Sequence, residues 1–271
     1  MVTSAPLSLI RERVRDCRDP ILDTEVLLDN HSPEPYCLGP FADLVRDPDG
    51  QLLREEIDVP IRAVVALGRG DGLLGNRDTW RTIIDRGLHG NGWTHDVFDY
   101  FDGEICDRYF PADGANGILE LYSVGGAVQC GNGNHRLAGA IGWIASTRPH
   151  DPVLRKARVY VGPVLPGIIA SILALRSPGT EMACAAGFTG RGTETFLRVR
   201  QGRDVKTYAV RDGVLEQRFD WRESDGSQRR PIDHEGAWHW WTLPDQVLNA
   251  WADAGWLDRQ IRSLPVAPCA A

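Results

Sequence analysis

QCGNGNHRLAGAIGW, residues 129–143, sets a glycine-rich turn directly ahead of an apolar run. Leu137, Ala140, Ile141 and Ile144 recur at i, i+3, i+4 and i+7, the spacing of one helical face. His135 and Arg136 therefore fall at the mouth of a helix. The first N–H groups of a helix lack intrahelical partners, and together with the helix dipole they favour an anion. Arg136 adds a planar fork that takes phosphate oxygens in bidentate fashion, and His135 adds an imidazole donor. The plain alternative is a hairpin-to-helix turn carrying two solvated polar residues.

Upstream, ILELYSV (118–124) and AVQC (127–130) flank Gly125-Gly126, a pair suited to a tight turn with positive φ, so a two-stranded hairpin is expected. IDVPIRAVVAL (57–67) reads as a strand leading into the glycine-rich loop GRGDGLLGN (68–76). RDTWRTIIDRGL (77–88) places Trp80, Ile83, Ile84 and Leu88 on one face of a helix, capped by Asn76 or Asp78. ARVYVGPV (157–164) reads as a strand, and PGIIASILALRS (166–177) as a helix with Pro166 in its first turn. A short helix is expected over 6–18, with Ile10, Val14 and Cys17 in register. Residues 30–50 hold four prolines and read as irregular, and the acidic, aromatic stretch 89–117 receives no assignment.

The tail changes character. TFLRVRQG, VKTYAVRDG and VLEQRFDWRESDG read as an antiparallel meander. LPDQVLNAWADAGWLDRQIRSL reads as a helix or helix pair, with Gly255 as the break. The expected organisation is an acidic helical and irregular segment over 1–54, a nucleotide-binding domain over 55–178, and a β-meander-plus-helix extension over 179–271.

Composition narrows the function. The net charge is −7, and residues 1–60 carry all of it, with thirteen Asp and Glu against six Arg. A chain that coats DNA needs a concentrated positive face, so DNA is not favoured as a partner. Only two lysines occur, Lys156 and Lys206, so a P-loop and a protein-kinase strand lysine are both excluded. Any phosphate grip has to use Arg, His and backbone N–H groups. The six cysteines show no Cys-x-x-Cys spacing, and no run is apolar enough to span a bilayer. A reduced, cytoplasmic protein with no membrane partner is expected. In DHEGAWHWW (233–241), His234 and His239 are five apart rather than four, so the zinc-protease helix geometry fails. Six of the nine tryptophans fall in 221–256 and suit the packing of a small unit onto its neighbour better than a wall for a ring-bearing ligand.

GNGNHRLAGAIG resembles the signature of the ParB/sulfiredoxin superfamily: an acidic or amide residue, Gly, a variable residue, His or Arg, then Arg and an apolar helix. Asn132, Gly133, Asn134, His135 and Arg136 stand on those places in order. The resemblance covers about residues 55–165. It implies an α/β (α+β) fold, a ParB/sulfiredoxin-like mixed-sheet core followed here by the antiparallel β-meander and helix. It also implies a nucleotide-triphosphate cradle, used within the superfamily for CTP by partition proteins, for ATP by sulfiredoxins, and for phosphoryl transfer to a small hydroxyl substrate by free-serine kinases.

The departures choose among these. Asn134 stands where a sulfiredoxin keeps its reactive cysteine, and an amide is no thiolate. His-Arg in place of Arg-Arg, and the absence of a helix-turn-helix pattern in the tail, point away from partition proteins. The resemblance thus implies an ATP-dependent (or CTP-dependent) kinase of a small, amino-acid-like hydroxyl metabolite, with Mg²⁺. Asn132, Gly133, Asn134, His135, Arg136, Arg77 and Thr79 would hold the nucleotide. Asp71 would be the base, with His135 and Arg136 on the transferred group. Asp96, Asp99, Glu104 and Asp107 are weaker candidates for the base. A nucleotide-gated partition-type protein and a ParB-like nuclease are the alternatives, and a homo-oligomer is left open.

Overall fold

The computed structural model describes residues 4–28, 38–68, 77–115, 117–189, 192–222 and 240–262. Helix α1 (Ala5–Asp16) buries Ile10 and Val14 of the expected face together with Leu7, and it ends one residue before the half-buried Cys17. A two-residue strand β1 (Leu27–Leu28) and the short helix α2 (Gly39–Val45) follow. The stretch expected as one strand over 57–67 is two: β2 (Leu53–Pro60) and β3 (Val64–Leu67), separated by a 3-10 turn at Ile61–Ala63. Pro60 has no N–H to continue a ladder, and the Ile61 N–H turns aside to donate to the Pro152 carbonyl at 2.9 Å.

The helix expected over 77–88 is also shorter and differently wound. It is α3 (Trp80–Thr82) running into a π-turn at Ile83–Gly87, closed by the Leu88 N–H on the Ile83 carbonyl at 3.1 Å. Its apolar face is as expected, with Trp80, Ile83, Ile84 and Leu88 all buried. The unassigned acidic stretch holds α4 (Asp96–Asp102), which buries Val97, Tyr100 and Phe101 and turns its aspartates outward.

Strands β4 (Glu120–Val124) and β5 (Ala127–Asn132) form the expected hairpin, with Gly125 at φ 58° and Gly126 at φ 94° in its turn. Helix α5 (Asn134–Thr147) follows, then β6 (Val153–Gly162) and α6 (Pro166–Ala174). The meander begins earlier than the sequence suggests. A hairpin of β7 (Thr180–Thr189) and β8 (Gly192–Gln201) comes ahead of β9 (Asp204–Arg211) and β10 (Val214–Arg222). After β11 (Trp241–Thr242), the helix pair α7 (Asp245–Ala252) and α8 (Gly255–Arg262) divides at Gly255.

The fold is mixed α/β with two sheets. The first has the order β1-β3-β5-β4-β6-β2 and combines parallel and antiparallel pairs; the second, β10-β9-β8-β7-β11, is antiparallel. One core lies between the first sheet and α5, and α1 contributes to it through Leu7, Ile10 and Val14 and α8 through Trp256 and Leu257. A second core joins the other face of the sheet to α2, α6, α7 and the meander through Val65, Ala127, Ile172, Leu197 and Trp251. Residue 54 thus falls inside β2, and residue 178 falls between α6 and β7. No helix of the described residues is long and apolar enough to cross a membrane.

Candidate functional site

Strands β1, β3 and β5 are mutually parallel, in register Leu28 to Leu67 and Leu67 to Cys130. Their carboxyl ends share one edge of the sheet, the edge where open α/β sheets place ligands. The described chain leaves this edge at Leu28 and at Gly68, and β5 ends there in the motif. Gly68 lies against β5: its N–H donates to the Cys130 carbonyl at 2.7 Å, and a Cβ on it would sit 2.5 Å from that oxygen. Only glycine lets the two backbones approach so closely. Gln129 supports the same corner from below, its Oε1 accepting the Leu38 N–H at 3.0 Å.

Gly133 makes the turn from strand to helix at φ 97°, ψ 32°, a left-handed conformation that favours glycine. Gly133 itself offers no side chain to cap the helix start, and the first turn of α5 points its N–H groups towards that edge. The Arg136 side chain folds back over Gly133, where a Cβ would lie 2.6 Å from its Nε. Its Nη1 donates to the Gly117 carbonyl at 3.0 Å, and its guanidinium carbon stands 5.6 Å from the centre of the Phe110 ring. Arg136 is 7% exposed. Burial raises the Tyr100 phenol above its ordinary range, and the Arg136 charge beside it opposes the rise. Asn132 is also engaged, its Nδ2 donating to the Ile118 carbonyl at 2.7 Å. Both residues therefore fasten the 117–118 loop to the motif. Asn134 is buried, and its Oδ1 accepts no hydrogen bond among the described residues.

His135 is half-buried, and its ring meets that of His89, with centroids 4.5 Å apart and planes at 39°. His89 follows the π-turn and is exposed; its Nδ1 accepts the Asn91 N–H at 3.2 Å. In the neutral ring this leaves Nε2 as the donor. The sequence reading missed His89, because the only signal for it would have been knowledge of where the chain leaves the π-turn.

Asp71 and Asn76 lie outside the described residues. Arg77 is exposed, with φ 70°. The Thr79 hydroxyl caps α3, accepting the Thr82 N–H at 3.3 Å, and Thr79 bridges to Glu25 beside β1. Asp107 pairs with Arg158, and Asp96 accepts from the Thr94 hydroxyl at 3.4 Å. Cys130 is fully buried, and burial pushes its thiol well above the ordinary range, so it packs as an apolar residue. Among the described residues no group of three His, Cys, Asp or Glu converges to hold a metal ion. Of the proteins available for comparison, no family model, curated protein or solved structure matches this chain.

Proposed function

We propose that the protein binds a nucleoside triphosphate, ATP or CTP, at the first turn of α5 and transfers its terminal phosphoryl group to a small, amino-acid-like hydroxyl metabolite. The observation that carries this reading is the left-handed turn at Gly133. It opens the helix start, with His135 and Arg136 on it, at the carboxyl edge of three parallel strands. Backbone N–H groups and the helix dipole favour phosphate there. Glycine at positions 68, 131 and 133 lets the Cys130 carbonyl, the Tyr122 ring and the Arg136 side chain pack directly against the backbone of this corner.

The first-turn N–H groups and His135 contact phosphate oxygens, with His89 extending the imidazole surface. Arg136 supplies positive charge from beneath the loop and fixes the loop to Gly117. The reading carries with it membership of the ParB/sulfiredoxin superfamily, supported by the succession of hairpin, Gly133 turn and apolar helix. Mg²⁺ usually keeps several waters and leans on substrate phosphates plus one or two carboxylates. Such an ion would neutralise phosphate charge here without a preformed protein cage.

The test is incubation of the protein with ATP or CTP, Mg²⁺ and a mixture of small hydroxyl compounds, with nucleotide and product followed by mass spectrometry. A nucleoside diphosphate and a phosphorylated acceptor are expected together. No nucleotide binding, or binding unchanged in a folded Arg136→Ala variant, sinks the reading. DNA cleavage or CTP-dependent loading onto DNA would replace it with a nuclease or a partition-type protein.

A further inference from the structure

Helix α1 reaches the candidate site through one arginine. In α winding each N–H donates to the carbonyl four residues back, so the Leu88 N–H would belong on the Ile84 carbonyl. The π-turn sends it one residue further, to the Ile83 carbonyl at 3.1 Å, and the Ile84 carbonyl loses that donor. Arg11 of α1 takes its place: its Nε donates to the Ile84 carbonyl at 3.0 Å. The contact is partly buried, where an unpaired carbonyl costs free energy. Arg11 Nη2 donates to the Leu88 carbonyl at 2.7 Å. That carbonyl belongs to the peptide plane that the His89 N–H completes. One planar guanidinium thus closes the π-turn and fixes the plane that leads into His89.

The same helix holds the far side of His89. Gly90, at φ 59°, crosses the start of α1 so closely that a Cβ on it would lie 2.8 Å from Ser4 Oγ and 2.9 Å from Leu7 Cβ. Helix α1 is in turn seated on α5. A Cβ on Gly142 of α5 would lie 2.8 Å from Ile84 Cδ1, 3.0 Å from Val14 Cγ2 and 3.2 Å from Ile10 Cγ2. The π-turn, α1 and α5 therefore meet at one close contact. His135 stands on the first turn of that same α5. Both imidazoles are thereby referred to one packed unit, which brings the exposed His89 ring to 4.5 Å from the His135 ring.

We infer that Arg11 is a positioning residue of the candidate site: from α1 it aims His89 at the first turn of α5. The inference rests on the phosphoryl-transfer reading above, in which His89 extends the imidazole surface for the nucleotide phosphates. Arg11 acts through the Leu88–His89 peptide and not by contact with the nucleotide. Without it, α winding restores a donor to the Ile84 carbonyl. Successive residues of an α-helix stand about 100° apart around its axis, so that rewinding swings His89 away from His135.

The experiment uses the full chain with labelled histidines. Nuclear Overhauser contacts between the His89 and His135 ring protons read the placement. Calorimetry with a non-hydrolysable ATP or CTP analogue and Mg²⁺ reads binding. The variants are Arg11→Ala, Arg11→Lys, His89→Ala and the Arg11→Ala, His89→Ala pair. Arg15→Ala, which removes an exposed charge one turn further along α1, is the control. Arg11→Ala is expected to lose the ring contact and to weaken binding about three- to ten-fold, as loss of the His89 hydrogen bond does. In the His89→Ala background it should add less than about two-fold, because both changes break one interaction. Lysine, which lacks the planar fork, should recover part of both readings. Arg15→Ala should change neither.

A ring contact that survives in Arg11→Ala overturns the inference. Losses that multiply in the paired variant overturn it as well, since a general effect on the fold does not need His89. An equal loss in Arg15→Ala assigns the effect to charge and overturns it too. Should Arg11→Ala fail to fold, Arg11→Lys replaces it in the cycle. Wild-type readings in that variant, or a loss that persists undiminished without His89, then overturn the inference. A wild-type protein that binds no nucleotide overturns the phosphoryl-transfer reading and the part of Arg11 in binding, while the ring contact still decides whether Arg11 places His89.

Discussion

The rings of His89 and His135 lie 4.5 Å apart, tilted at 39°, although 46 positions separate them in the chain. His135 sits in the first turn of α5, and His89 arrives from the π-turn at Ile83–Gly87. π-turns within helices are frequent at functional sites. The expected consequence is that His89→Ala weakens nucleotide binding about three- to ten-fold, the worth of roughly one hydrogen bond. Because His89 is exposed, its melting temperature should match wild type. Calorimetric titration paired with a thermal melt checks this, and unchanged affinity would remove His89 from the site.

Gly133→Ala should affect both fold and binding. A left-handed φ of 97° costs an L-residue about 1–2 kcal/mol, and the new Cβ would press on Arg136 Nε. A lower denaturation midpoint of that size is expected in urea, together with loss of nucleotide binding. A stability equal to wild type would show that the turn tolerates a side chain.

Arg136→Ala should be costlier to stability than a surface arginine. The guanidinium is buried, bonds the Gly117 carbonyl and covers Phe110. Loss of about 1.5–3 kcal/mol is expected, the worth of a hydrogen bond to a charged group. Lysine should recover only part of this, since an ammonium lacks the planar fork. Urea titrations of the three proteins give the order.

Two thiols set an alkaline limit on stability. Burial raises Cys130 strongly and pushes Cys184 up to about 12, so both stay neutral in the folded protein. In the unfolded chain they ionise near the ordinary thiol value of about 8.5. Because the folded pKa is the higher one, their contribution is complete below about pH 8.5. It declines as pH rises towards the folded values, by up to about 1.4 kcal/mol per pH unit for each thiol. A Cys130→Ala, Cys184→Ala double variant should lose less stability than wild type between pH 8 and 11 in a urea series. Alkylation at pH 8 should spare both cysteines until the protein unfolds.

Residues 55–178 alone should not fold. That segment lacks Leu7, Ile10 and Val14 of α1 and Trp256 and Leu257 of α8, all of which complete the core around α5. It also begins inside β2. A broad, non-cooperative melt and poor near-ultraviolet circular dichroism are expected for the fragment, and a sharp melt would contradict the packing.

What the sequence determined by itself is local. Gly125-Gly126 announced its turn, because few other residues take positive φ twice in succession. The apolar period after Gly133 placed α5, and the alternation in TFLRVRQG and VKTYAVRDG placed β8 and β9. The mouth of the candidate site, Asn132 to Arg136, was legible for the same reason: five consecutive residues carry it.

The tertiary structure decided whatever depends on partners distant in the chain. It split 57–67 into β2 and β3 and set three strands between them, because Pro60 ends one ladder and Ile61 bonds Pro152. It drew a helix out of the acidic stretch 89–117, since Val97, Tyr100 and Phe101 find their cover only in the core around α5. It turned Asn132 and Arg136 partly to fastening the 117–118 loop, and it brought His89 to His135 and Glu120 to Arg158. Periodicity along a chain records which face of an element is apolar. Register across a sheet and the aim of a side chain after an irregular turn are fixed only when remote segments pack against one another.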